Sequence, residues 1–274
     1  MIDLHNHLLP GIDDGAATVA DSLAMAKAFE DQGVRVVACT PHIVPGLYHN
    51  TGPDIRQRVA ALQSEIDQAG ITLRLVAGAD NHVTPNFSAR LREGHLLALA
   101  DTRYVLVEPA HHIVTPRLED LFLDLLSDGY VPILTHPERL SWIETNYQLM
   151  QRLAAKGVWM QVTAGSLVGR FGSRVKYWAE RMLCDGHVHV LASDAHDPKR
   201  RPPELYAGAR AAELLLGAEE ARHLVTTRPE GVLADREPGA LPPLPTPVAQ
   251  AANDLAPSGA GGRLAGVLRR FRGN

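Results

Sequence analysis

Cysteine is scarce in this chain. Cys39 and Cys184 are the only two in 274 residues, too few and too far apart for a disulfide framework or a cysteine-rich zinc site. A reducing compartment is therefore expected, which points to the cytoplasm. Long apolar runs are also lacking: none approaches the roughly 20 residues needed to cross a bilayer. Met1 leads directly into Ile2-Asp3-Leu4-His5, without the charged segment and apolar stretch of a secretory leader. The expectation is a protein neither secreted nor membrane-spanning. An excess of basic charge is missing too, since 27 Lys and Arg face 31 Asp and Glu for a net charge of −4, which argues against a broad nucleic-acid-binding face. Several catalytic devices are absent. Neither cysteine is followed six residues later by arginine, because Cys39 leads to Pro45 and Cys184 to Val190. There is no G-x-x-x-x-G-K-[ST] phosphate loop and no G-x-S-x-G elbow. No repeat of fixed length suggests a solenoid.

What the chain has in excess is histidine, 13 residues, and imidazole is the commonest metal side-chain ligand. Short β-branched runs alternate with longer helical stretches, the pattern of parallel strands joined by crossover helices. Seven runs read as strands: 1–4, 34–40, 72–77, 104–107, 131–135, 158–162 and 188–192. Most are almost continuously apolar, as strands covered on both faces are. Between them, Val19, Leu23, Ala26 and Phe29 recur at helical spacing behind Thr18, a capping hydroxyl, and stop at Gly33. Ile55, Val59, Leu62 and Ile66 repeat the pattern, as do Leu118, Leu121 and Leu125, and then Leu149 and Leu153. The fold class is α/β, and seven strands at this spacing suggest a (β/α)7-type barrel. From Pro238 the composition turns to proline, alanine and glycine, so the domain is expected to span 1–237, with 238–274 a disordered linker and tail. Within that tail Leu264, Val267, Leu268 and Phe271 share a helical face with Arg263, Arg269, Arg270 and Arg272 around them, a short basic amphipathic segment. It is the only part of the chain suited to membrane contact, and a solubilising tail is the favoured reading.

The ligand-type residues fall at particular places. His5 and His7 follow the first strand, His42 the second, Asp80 the third, Glu108 the fourth, His136 the fifth, and Asp194 and His196 the last. Carboxyl ends of parallel strands share one face, so residues spread over nearly the whole chain converge there. His5-Asn6-His7 at the end of an extended segment directs both imidazoles to one side. Any one of these histidines is more often a satisfied polar residue than a ligand. Together with Asp13 and Asp14 they make a set too large for one ion, and its nitrogen content suits zinc, iron or manganese rather than calcium or magnesium. Metal-assisted hydrolysis is the chemistry left by the absent motifs.

Other histidines have plainer readings. His187 and His189 alternate through the last strand, and His95 and His223 have no ligand-like company. His111 and His112 stand in a loop after Glu108, either overhanging the site or solvated, and His49 and His82 are equally open. Arg139 follows His136 by three residues, and Arg201 follows His196 by five. Each guanidinium matches a phosphate oxyanion, which is favoured, or else forms a salt bridge holding a ligand loop.

The motifs Ile2-Asp3-Leu4-His5-Asn6-His7, Leu9-Pro10-Gly11-Ile12-Asp13-Asp14-Gly15, Thr40-Pro41-His42, Gly78-Ala79-Asp80, Val107-Glu108, His136-Pro137-Glu138-Arg139 and Ser193-Asp194-Ala195-His196 resemble the PHP (polymerase and histidinol phosphatase) superfamily. The likeness is to its bacterial branch of manganese-dependent tyrosine-protein phosphatases of capsule and exopolysaccharide synthesis. Ser166-Leu167 and Phe171-Gly172 favour that branch over histidinol phosphatases, and the match runs from Met1 to about residue 235. The resemblance implies a distorted (β/α)7, TIM-barrel-like fold holding up to three metal ions, Mn2+ in the first place with iron or zinc as alternatives. By position, His5 and His7 with Glu108 and Asp194 would hold one ion. Glu108 and His136 would help hold a second, and Asp14, His42 and His196 would serve a third. Asp80 stands where the pattern usually has a bridging glutamate, one methylene longer. Asn6 replaces a smaller residue and is expected to point away from the metals. The implied substrate is phosphotyrosine on the tail of a bacterial tyrosine autokinase. The alternatives are a PHP phosphoesterase acting on a small-molecule phosphate and a non-catalytic PHP scaffold domain. Oligomeric state is not legible.

Overall fold

Parallel pairing of short apolar segments organises the chain. The computed structural model describes residues 1–247; the tail segment around Leu264, Val267, Leu268 and Phe271 lies outside the described residues. The strands are β1 (Ile2–Asp3), β2 (Val36–Cys39), β3 (His42–Ile43), β4 (Arg74–Ala77), β5 (Asp80–His82), β6 (Tyr104–Glu108), β7 (Val131–Thr135), β8 (Trp159–Thr163) and β9 (Val190–Ala192). They pair in parallel in the orders β1-β2-β4 and β3-β5-β6-β7-β8-β9. Each of the seven runs read as strands overlaps one, with β6 and β8 each extending one residue further. The two extra strands, β3 and β5, continue β2 and β4 after breaks at Thr40-Pro41 and Gly78-Ala79. Pro41 has no N–H to give a ladder, and glycine weakens one, so interruption is expected at both. The residues after β1 and β9 are joined by the backbone bonds Asp194 N–H to His5 O and His7 N–H to Ala195 O, both 2.8 Å. The result is a curled parallel α/β sheet of the TIM-barrel-like kind.

The crossover helices begin and end as their sequence dictates. Thr18 caps the helix Val19–Asp31 in a reciprocal box: its hydroxyl accepts from the Asp21 N–H, and the Asp21 carboxylate accepts from the Thr18 N–H, each at 3.1 Å. Gly33, with φ +78°, lets the chain turn into β2. Alternation along the strands separates two apolar regions. Val105 and Val107 face the helices, whereas Tyr104, Leu106, Ile133, Trp159 and Val190 fill the enclosed side. Glu108 continues the inward row of Tyr104 and Leu106 beyond the apolar layer, which is how β6 delivers a carboxylate to the open end.

The opposite end differs from the sequence expectation. The chain does not leave the domain at residue 237: Leu241 is buried with the enclosed apolar cluster. The carbonyls of Pro242 and Pro243 accept hydrogen bonds from the buried Arg228 guanidinium at 3.1 and 2.7 Å. Proline lacks a donor but keeps its carbonyl, and a buried guanidinium with five N–H groups needs acceptors beyond its one carboxylate, Glu220. Among the described residues no helix is long and apolar enough to cross a membrane.

Candidate metal centre

The open ends of the strands bring His5, His7, His42, Asp80, Glu108, His136, Asp194 and His196 together, and Asp14 joins them from the loop after β1. Four overlapping sets have ligand atoms within 4.8 Å of one another: His7, Asp14, His42 and His196; His5, His7 and Asp80; His42, Asp80 and Glu108; and Glu108, His111 and His136. Asp80 lies between two imidazoles, 3.5 Å from His5 Nε2 and 3.3 Å from His42 Nδ1. Asp14 Oδ1 lies 3.5 Å from the Nε2 of both His42 and His196. The Asp194 carboxylate lies 3.5 Å from His7 Nε2 and from His196 Nδ1. His7 thus joins two sets rather than one, because it stands at the centre of the floor, its ring centroid 3.9 Å from that of His196 and 4.4 Å from that of His42.

Backbone strain helps to aim these groups. His136 and Asp194 both have positive φ, +33° and +50°, a region that residues other than glycine avoid and that persists where surroundings enforce it. The turn carrying His136 is held by buried Glu138, whose carboxylate accepts from the Thr163 N–H at 2.9 Å and the Ser166 hydroxyl at 2.7 Å. Glycine 15 is required for a different reason: a Cβ there would overlap the carbonyl oxygen and Cβ of His7.

The donor set fits bound cations. His5 Nε2, His7 Nε2, His42 Nδ1, His136 Nδ1 and both Asp80 oxygens are buried without hydrogen-bond partners, a costly state for polar atoms that a cation relieves. Meanwhile the other nitrogens of two imidazoles are occupied: His5 Nδ1 meets Gln161 Oε1 at 2.8 Å and His7 Nδ1 meets Asp13 Oδ2 at 2.7 Å. That is the outer support which fixes the orientation and tautomer of a ligand histidine. Asp13 also accepts from the His42 N–H at 3.0 Å, so it positions two imidazoles rather than adding a ligand of its own.

Charge is arranged to match. Burial opposes ionisation of Asp194, but the Arg201 and Arg139 guanidiniums hold its carboxyl well below the usual range. Burial likewise works against charge on His5 and His42, yet facing carboxylates, Asp80 foremost, push them up to about 9 and about 10. Burial holds His136 and His196 neutral, with pKa values lowered. A cation held there would compete with protons for His5 and His42.

Arg139 and Arg201 stand at the lip. Both pair with Asp194 Oδ2, Arg201 at 2.7 Å, and both lie over one ring: their guanidinium carbons are 4.6 and 5.9 Å from the centre of Phe171. The salt bridge and the oxyanion readings are thus compatible, since each guanidinium has donors beyond the one that meets Asp194. Asn6 points away as expected, donating to Asp3 and the Ala38 carbonyl at 3.0 and 2.9 Å. Sequence reasoning did not single out Phe171 and Gln161 as site residues, and it left His111 open. His111 Nε2 lies 3.2 Å from Glu108 Oε1; a histidine three residues after a ligand was the available signal. His189 is structural, stacked on Trp159 with ring centroids 4.7 Å apart.

A curled parallel α/β sheet with a cluster of histidines and carboxylates able to bind metal ions at its carboxyl end defines a TIM-barrel-like fold with a candidate metal centre. Within that class the chain belongs to the CpsB/CapC family of capsular polysaccharide synthesis, whose model matches residues 1–234. It is 36% identical over 247 residues to the tyrosine-protein phosphatase YwqE of Bacillus subtilis, covering 89% of this chain and 96% of that protein. It is 26% identical over 245 residues to the tyrosine-protein phosphatase CpsB of Streptococcus pneumoniae, covering 86% of this chain and 99% of that one. Among solved structures it superposes with a TM-score of 0.84 at 35% identity, over 90% of this chain and 99% of the other, on a chain from the crystal structures of YwqE and CpsB described as unique metal-dependent tyrosine phosphatases.

Proposed function

We propose that this chain is a metal-dependent protein-tyrosine phosphatase of capsular or exopolysaccharide synthesis, acting in the cytoplasm on the phosphotyrosine tail of a bacterial tyrosine autokinase. The observation that carries the reading is the pair of guanidiniums over Phe171 at the lip of a ligand cluster with orphaned donors, in a chain of the CpsB/CapC family. In this reading β2 with β3, and β4 with β5, each count as one interrupted strand, giving a distorted (β/α)7 barrel. His5, His7, Asp14, His42, Asp80, Glu108, His136, Asp194 and His196 hold up to three ions, with manganese the first choice. Bound divalent cations would supply an activated water nucleophile and offset charge on phosphoryl oxygens.

The chain's own groups do the rest. Arg139 and Arg201 bind the phosphoryl oxygens with their free N–H groups, while Asp194 and Phe171 keep both guanidiniums in place. A tyrosinate leaving group has a conjugate-acid pKa of about 10, so its departure asks less of a general acid than an alkyl alkoxide does. That suits a site whose imidazoles are committed to cations.

The test combines elemental analysis with turnover of a phosphotyrosine peptide, before and after chelation and with manganese returned. Two to three metal ions per chain and manganese-restored turnover are expected, with aryl phosphates hydrolysed far faster than alkyl ones. Equal rates on both classes would favour a small-molecule phosphoesterase, and metal-free, inactive protein would favour a scaffold.

A further inference from the structure

Next to the metal centre, on the far side of Tyr48, lies a cleft of about 290 Å³ that the mechanism does not use. Tyr48 forms the shared wall: its ring stacks on that of His42 at 5.8 Å and an interplanar angle of 10°, and it also lines the cleft. Asn50, another lining residue, donates to the His42 carbonyl at 2.8 Å, so the cleft is built on the strand that carries a ligand. The remaining polar lining residues are Arg90, His49, His95 and Thr51, of which Arg90 carries a fixed positive charge. No carboxylate among the described residues lines it. Glu93 lies close by, 3.3 Å from the outer His95 ring. Arg90 is partly buried, and its Nε is shut off from solvent with no hydrogen-bond partner. Arg90 lines a cavity free of carboxylates and makes no ion pair among the described residues, so its guanidinium is short of an anion.

We propose that this cleft is a subsite for an anionic side chain of the substrate, a residue flanking the phosphotyrosine, with Arg90 as its counter-charge. The proposal rests on the phosphatase reading. An extended peptide advances about 3.4 Å per residue, so a side chain a few positions from the phosphotyrosine is the part of the substrate that this neighbouring cleft would take. A carboxylate and a second phosphotyrosine share the required chemistry.

The test uses the full, metal-loaded chain and phosphotyrosine peptides carrying Glu, a second phosphotyrosine or Gln at the second and third positions on either side. The readout is the ratio of kcat/KM for the anionic peptide to that for its Gln counterpart. The wild-type ratio is expected at about three to ten, as for a partly exposed charge pair. It should fall to about one in Arg90→Ala, fall below one in Arg90→Glu, and be partly kept in Arg90→Lys. The Glu and phosphotyrosine arms show which anion is preferred. Because both peptides meet the same enzyme, general damage cancels from the ratio. A wild-type ratio near one, or a ratio that Arg90→Ala leaves alone, overturns the subsite while aryl phosphate turnover keeps the phosphatase reading. If no phosphotyrosine peptide is turned over, that reading fails, and fluorescence anisotropy of the same labelled peptides decides the subsite: Arg90-dependent preference for the anionic peptide sustains it, and equal binding ends it.

Discussion

Asp80 is the site residue whose side chain departs from the resembled pattern, and it lies between two imidazoles. Its shorter side chain still stands 3.5 and 3.3 Å from two imidazoles, and both its oxygens lack hydrogen-bond partners. The short carboxylate reaches because β5 resumes immediately at Asp80 after the Gly78-Ala79 break, setting its backbone close to the cluster. Asp80→Asn is accordingly expected to weaken metal binding by about 100-fold, measured as metal content after dialysis against a weak chelator, with the far-ultraviolet dichroism unchanged. Retained full metal content would mean that Asp80 is no ligand. Phe171 makes a second residue-scale prediction. A cation over an aromatic face is stabilised by about 0.5–2 kcal/mol, and one ring here serves two guanidiniums. Phe171→Ala is expected to raise KM for a phosphotyrosine peptide by about three- to tenfold with a smaller change in kcat, and Phe171→Tyr to restore it. A KM that stays at the wild-type value would separate the ring from phosphate binding.

At the scale of elements, the segment 238–243 closes the end of the sheet remote from the metals. Leu241 enters the enclosed apolar cluster, and Arg228 ties the segment to Glu220 and to the His189 carbonyl. Removing one partner of a buried, hydrogen-bonded ion pair costs about 3–5 kcal/mol, because the other charge is left without compensation. Arg228→Leu should therefore lower stability to chemical denaturant by about that amount while leaving the metal centre's affinity near wild type. A loss below about 1 kcal/mol would show that the segment is held by Leu241 and the prolines alone. Composition made this segment read as linker, because proline content reports backbone conformation and missing donors and is silent about where the carbonyls point. The helices were easier to read: Thr18 and Gly33 carry their own stop and start chemistry, and the apolar spacing between them needs no distant partner to be recognised.

At the scale of the whole molecule, acid sensitivity follows from buried imidazoles as well as from loss of metals. Burial, aided by the nearby Arg228 guanidinium, pushes His189 down to about 3, against about 6.5 in an unfolded chain. Between those values the unfolded state binds a proton that the folded state refuses, so stability falls as pH falls from about 6.5 toward 3. His189→Asn lacks that titration. Its stability deficit relative to wild type is expected to narrow by about 1.4 kcal/mol per pH unit below 6, measured by denaturant unfolding of metal-free protein at matched pH. A constant gap would mean that His189 takes up its proton in the folded state too.

Most of this architecture was written in local pattern. Seven apolar runs, six of them followed within a few residues by a histidine or carboxylate, suffice to place eight ligand-type residues at one end of a parallel sheet, since parallel strands share a direction and their carboxyl ends share a face. The sequence by itself therefore determined the fold class and which strand-end histidines and carboxylates would meet on one face. Tertiary structure decided what depends on approach between distant segments: that Asp13 orients His7 and His42, that His111 reaches Glu108, that Phe171 lies under both arginines, and that the chain stays packed through Pro243. Those are contacts between loops, and loop paths are fixed by packing and by hydrogen bonds made across the fold, not by any periodicity along the chain.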